Sequence, residues 1–107
     1  MATTVFSKPL SDEVTNLQKN RWVYGSTTTS SLSGNADHTV TIALPTGVSF
    51  ADVEAVFFIG YTPSSAWGTR LLIKGIDKGV SSWSVGVHTD GTTAQTYTMR
   101  FAFYKKS

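Results

Sequence analysis

The sequence predicts an all-β protein: an antiparallel β-sandwich of jelly-roll type with a short N-terminal α-helix. Three observations carry that expectation. From Arg21 onward, apolar and polar residues alternate with the period of half-buried strands. Turn residues interrupt the alternation at short, regular intervals. Only one stretch, ahead of Arg21, has helical spacing.

That stretch is LSDEVTNLQKN. Pro9 precedes Ser11, a suitable N-cap, and Asp12 and Glu13 fall where a helix dipole favours negative charge. Leu10, Val14 and Leu17 make one apolar seam. A helix this short is marginal alone, so the seam needs a partner, either the chain's own body or other copies. Residues 1–20 are read as a helical lead for attachment, and residues 21–107 as the β-sandwich domain.

The strands follow in order. RWVYGSTTTS is the first, running into the polar stretch SSLSGNAD. The Ser/Thr-rich piece Ser26–Ser33 reads as a flexible loop or a polar edge strand. HTVTIALP sets Val40, Ile42 and Leu44 against Thr39, Thr41 and Ala43, and Pro45 and Gly47 end it. VEAVFFIGY is apolar on both sides, with Val53, Ala55, Phe57, Ile59 and Tyr61 opposite Val56 and Phe58. In TRLLIKGI, Leu71 and Ile73 oppose Leu72 and Ile76. IDKGV reads as a turn. VSSWSVGVH sets Trp83, Val85 and Val87, a core register, against Ser82, Ser84 and Gly86. Asp90-Gly91 suits a hairpin. The closing strand QTYTMRFAFYK aligns Tyr97, Met99, Phe101 and Phe103.

A two-layer sandwich buries one face per strand. If one set fills the core, Val56, Phe58, Leu72 and Ile76 are left over. Monomers rarely expose such a patch, so either the N-terminal helix covers it or copies associate through it; in the second case these residues, with Leu10, Val14 and Leu17, form the expected oligomer interface.

Composition narrows the function. Only 15% of residues are charged, while Ser and Thr make up roughly a quarter of the chain, a polar but weakly charged surface. The nine Lys and Arg residues are scattered, without the stripe that phosphate binding needs, so no nucleic-acid partner is expected. There is no cysteine, which excludes disulfides, zinc knuckles and thiol catalysis. No window is long and apolar enough for a membrane span or a signal peptide, so the expectation is synthesis in a cytoplasm and no membrane partner.

No catalytic signature is present. The only histidines are His38 and His88, there is no GxSxG, and no carboxylates sit at a spacing that predicts a facing pair. His88-Thr89-Asp90 and Asp37-His38 read as polar turns in preference to metal ligands. No enzyme activity, cofactor or metal is expected. The aromatic residues offer more. Trp22 is expected to seat the helix. Trp67 stands in the loop GYTPSSAWGTR, where it can stack on a sugar or meet a neighbouring subunit. With Tyr61 and Arg70 it makes the candidate ligand-binding set.

The opening FSKPLSDEVTNLQKN resembles the leads of small phage structural proteins. TVTIALPTGVSFADVEAVFF and WSVGVHTDGTTAQTYTMRFAFYK resemble the compact sandwich heads at the ends of phage tail fibres, and the ending is similar to that of H-type lectin-like domains. The resemblance implies a homotrimer that binds a host-surface glycan or protein and joins other virion proteins through its N-terminal segment. No repeated His-any-His pattern, the mark of a metal-holding tip, occurs. The expectation is a non-enzymatic phage or prophage virion protein of the tail-fibre-head kind. A purely structural virion component and a carbohydrate-binding module are the alternatives.

Overall fold

A computed structural model describes residues 21–65 and 70–106. The expected helix, with Leu10, Val14 and Leu17, lies outside the described residues, as does Trp67. Six strands are present: β1 (Trp22–Thr28), β2 (Ala36–Thr41), β3 (Val53–Pro63), β4 (Arg70–Lys78), β5 (Trp83–Asp90) and β6 (Tyr97–Lys105). Each overlaps a stretch read as a strand, although β2 starts earlier than expected, at Ala36, and ends at Thr41. They form two antiparallel three-stranded sheets, β1-β6-β3 and β2-β5-β4.

The chain wraps in a nested order. The first strand pairs with the last, and the second with the fifth. Every connection crosses between the sheets except β4–β5, a hairpin closed by Gly79 N–H donating to Ser82 O at 2.8 Å. The turn expected at IDKGV is thus displaced by a few residues, and Asp77 and Lys78 remain in β4. The hairpin expected at Asp90-Gly91 does not form, because β5 and β6 belong to different sheets. Gly91 turns the chain between them with a φ of 132°, and its N–H donates to Asn35 Oδ1 at 3.0 Å.

One core joins the two sheets. Val53, Val56, Tyr97, Met99, Phe101 and Phe103 from the first meet Leu71, Trp83, Val85 and Val87 from the second, with Leu32 and Ile42 at the margins. Trp83 is in this core, as its register predicts. The polar stretch after β1 is not loose. Ser26–Thr28 belongs to an edge strand. Leu32 bridges to Gln95, and the fully buried Thr89 donates its hydroxyl to Ser33 O at 2.6 Å.

The faces of β3 and β4 differ from the simple alternation. Bulges interrupt β3 between Val53 and Ala55 and between Phe58 and Gly60, and β4 between Ile73 and Gly75. A bulge adds one residue and so turns the side chains beyond it to the other face. Val53 and Val56 are both buried, and Phe58 and Ile76 pack against the core. The expected surplus face is therefore corrected: Val56, Phe58 and Ile76 are core-side residues. Phe57 (51% exposed) and Ile59 (56%) face out instead, and of the expected set only Leu72 (48%) remains outside.

Candidate functional site

The two sheets present outer faces of opposite character. On β1-β6-β3 the outer face is aromatic. Trp22 packs on Tyr104 at 4.9 Å and on Phe57 at 5.6 Å between ring centroids. The Arg21 guanidinium lies over Tyr104 at 4.4 Å and donates to the carbonyls of Lys105 and Lys106. Tyr24 and Phe57 flank Ala102, their common partner on β6, and Ala102 is too small to cover either ring. Tyr24 is 68% exposed. Beside it, an open groove of about 380 Å³ is lined by Tyr24, Gly25, Ser26, Ile59, Arg100 and Phe101. Burying such side chains is worth about 1.5–3 kcal/mol each, so the face gains from being covered. Trp22, expected to seat a helix, is a member of this cluster.

On β2-β5-β4 the outer face is polar. Asp37 on β2 stands opposite His88 on β5, which in turn stands opposite Leu72 on β4. Asp37 Oδ1 accepts from His88 Nδ1 at 2.7 Å, and Oδ2 accepts from Lys74 Nζ at 3.0 Å. The hydrogen bond from His88, reinforced by Lys74, holds the Asp37 carboxyl below the usual aspartate range. Lys74 is the extra residue of the β4 bulge, and the bulge aims its side chain across β5 toward β2.

Below this pair Gly75 and Gly86 are direct cross-strand partners. They floor an open cavity of about 320 Å³ lined by Asp37, His38, Thr39, Lys74, Gly75, Asp77 and Gly86. Gly75 closes the β4 bulge, and neither glycine is required by its neighbours. Neither has a positive φ. A Cβ at Gly75 would meet nothing within 4 Å, and one at Gly86 would lie at ordinary contact distance, 3.8 Å, from Lys74 Cβ. Glycine inside a strand weakens it and marks a bulge, as at Gly75, or a place where another molecule comes close, the reading left for Gly86.

Comparison with protein-family models, curated proteins and solved structures gives no match. Among the described residues no group of three or more His, Cys, Asp or Glu is arranged to hold a metal ion.

The ligand candidates from sequence are placed as follows. Tyr61 meets Tyr97 edge-on at 5.9 Å, and its hydroxyl accepts from Leu71 N–H at 3.2 Å. Arg70 donates to Asp90 Oδ2 at 3.0 Å, so Asp90 pairs with β4 rather than shaping a turn. Tyr61 ties β3 to β4, and Arg70 ties β4 to β5. Asp37-His38, read as a polar turn, lies in β2, and the partners of Asp37 are side chains of β4 and β5. His38 Nε2 is the group that reaches the loop, at 3.0 Å from Ser33 O. The sequence reading missed the cavity. Its one signal was the pair of glycines within strands, and their alignment depends on the β4 bulge.

Proposed function

We propose that the protein is a non-enzymatic, oligomeric head of the phage or prophage tail-fibre kind, made in the host cytoplasm and carried in the virion, where it recognises the host surface. The nested strand order supports a jelly-roll-like reading, in which a long folded hairpin is rolled into two layers. The observation that carries the assembly reading is the exposed aromatic face of Trp22, Tyr24, Phe57 and Ile59. Copies meet through it, and a homotrimer is the expected state.

The β1–β2, β3–β4 and β5–β6 connections leave from one end of the sheets, where Thr28 and Pro63 lie beside the start of β6 and Arg70 beside the end of β5. Such a cluster of loops suits display toward a host glycan or protein. Several weak sites on one oligomer gain avidity without new contacts. Residues 1–20 join other virion proteins in this reading.

Light scattering across a wide concentration range tests assembly. A trimer that persists on dilution is the expected result, and a monomer at high concentration overturns it. A structural virion component without a soluble ligand is the second reading. It is favoured by the internal engagement of Tyr61 and Arg70, and binding by a glycan panel separates the two.

A further inference from the structure

We propose that the cavity on the outer face of β2-β5-β4 is a binding site for one ring of a neutral saccharide. It rests on the recognition reading above and gives that reading a place and a ligand class.

The walls mix donors and acceptors at short range. Asp37 is engaged by His88 and Lys74 through one contact on each oxygen. Each carboxylate oxygen has a second lone-pair direction, and Lys74 keeps two further N–H donors. Two adjacent hydroxyls of a sugar match that arrangement, one donating to Asp37 and the other accepting from Lys74. Thr39 and Asp77 lie on the same wall set. Asp77 makes no ion pair among the described residues, so its carboxylate is open to a third hydroxyl.

The floor fits a ring as well. With no side chain at Gly75 or Gly86, a sugar edge reaches the backbone between β4 and β5. A cavity of about 320 Å³ holds one such ring. Charge favours neutral over acidic sugars. Asp37 and Asp77 against Lys74 leave a surplus of negative charge, which repels sialic acid, sulfated sugars and phosphates. Stability does not explain the cluster, because surface ion pairs contribute little and strand glycines detract.

The test uses the full chain, labelled with nitrogen-15. Methyl glycosides of galactose, glucose, mannose and fucose, and N-acetylglucosamine, are titrated at millimolar concentration, with sialic acid and a sulfated glucose as controls. At least one neutral sugar is expected to shift the amides of Thr39, Lys74, Gly75 and Gly86 saturably, and the anionic sugars are not. Gly86→Ala and Gly75→Ala are expected to keep the fold, with a melting temperature equal to or above that of the parent, while affinity falls tenfold or more. Silence of the whole neutral panel, equal binding of the anionic controls, or binding unchanged in both alanine variants overturns the proposal. Mass is read separately. A monomer that binds sugar here removes the assembly reading and leaves this site, and a trimer with a silent cavity does the reverse.

Discussion

Asp37 and His88 face each other across β2 and β5, with carboxylate oxygen and imidazole nitrogen 2.7 Å apart. The contact favours the ionised form of Asp37. Asp37 is lowered from an ordinary value of 3.8, first by His88 and then by Lys74. A lowered carboxylate contributes stability that is complete above the unfolded value and lost as pH falls through the folded one. The loss therefore belongs below pH 3.8. A carbon-13 NMR titration of the Asp37 carboxyl is expected to show a midpoint below that of the unfolded chain. His88→Ala should move it up further than Lys74→Met, and equal midpoints in all three proteins would refute the assignment.

The two faces of β3 and its neighbour β6 differ in energetic weight. Phe101 is fully buried and Phe57 is half exposed. Phe101→Ala is expected to cost about 3–5 kcal/mol of unfolding free energy. Phe57→Ala should cost less than about 1 kcal/mol when measured on the dissociated chain. Urea unfolding measures both, and a larger loss at Phe57 would reverse the face assignment.

Tyr97 is completely buried, and its hydroxyl has no hydrogen-bond partner among the described residues. A buried polar group without a partner costs about 1–3 kcal/mol. Tyr97→Phe keeps the ring and removes that cost, so the melting temperature is expected to hold or rise. A clear fall in a thermal melt would mean that the hydroxyl is bonded.

Gly34 is required by its neighbours. A Cβ there would collide with the carbonyl oxygen of Gly91, and the carbonyl carbon of Thr92 would lie 3.0 Å away. Both obstacles are backbone and cannot rotate aside. Gly34→Ala is expected to destabilise by about 1–3 kcal/mol, in the range of overpacked sites. Gly47→Ala is a control of another kind: its Cβ meets nothing, and its cost comes from a φ of 84° alone. Calorimetry on the two variants separates collision from conformational strain.

The strands were legible because their signal is local. Trp83, Val85 and Val87 on β5, and Tyr97, Met99, Phe101 and Phe103 on β6, hold an unbroken two-residue period and lie in the core as read. The exchange of faces in β3 was not legible. It depends on bulges at Glu54 and Ile59; the charge of Glu54 and the glycine at position 60 mark both places, but neither residue by itself says that the ladder gains a residue there. The partner of each strand was equally hidden: Asp90-Gly91 has hairpin chemistry, yet β6 is claimed by β1 and β3. The polar cavity follows from both effects. Lys74 and Asp37 are far apart in sequence, and only a bulge and a shared neighbour strand bring them to 3.0 Å.

β1 and β6 run side by side in opposite directions, with Trp22 opposite Tyr104. The chain entering β1 and the chain leaving β6 therefore share one end of the molecule. A pull between those two points opens their ladder one bond at a time, like a zipper. A pull between that end and the loops opposite loads every bond of a strand together, in shear. The domain is therefore stiffer along its strands than across that end.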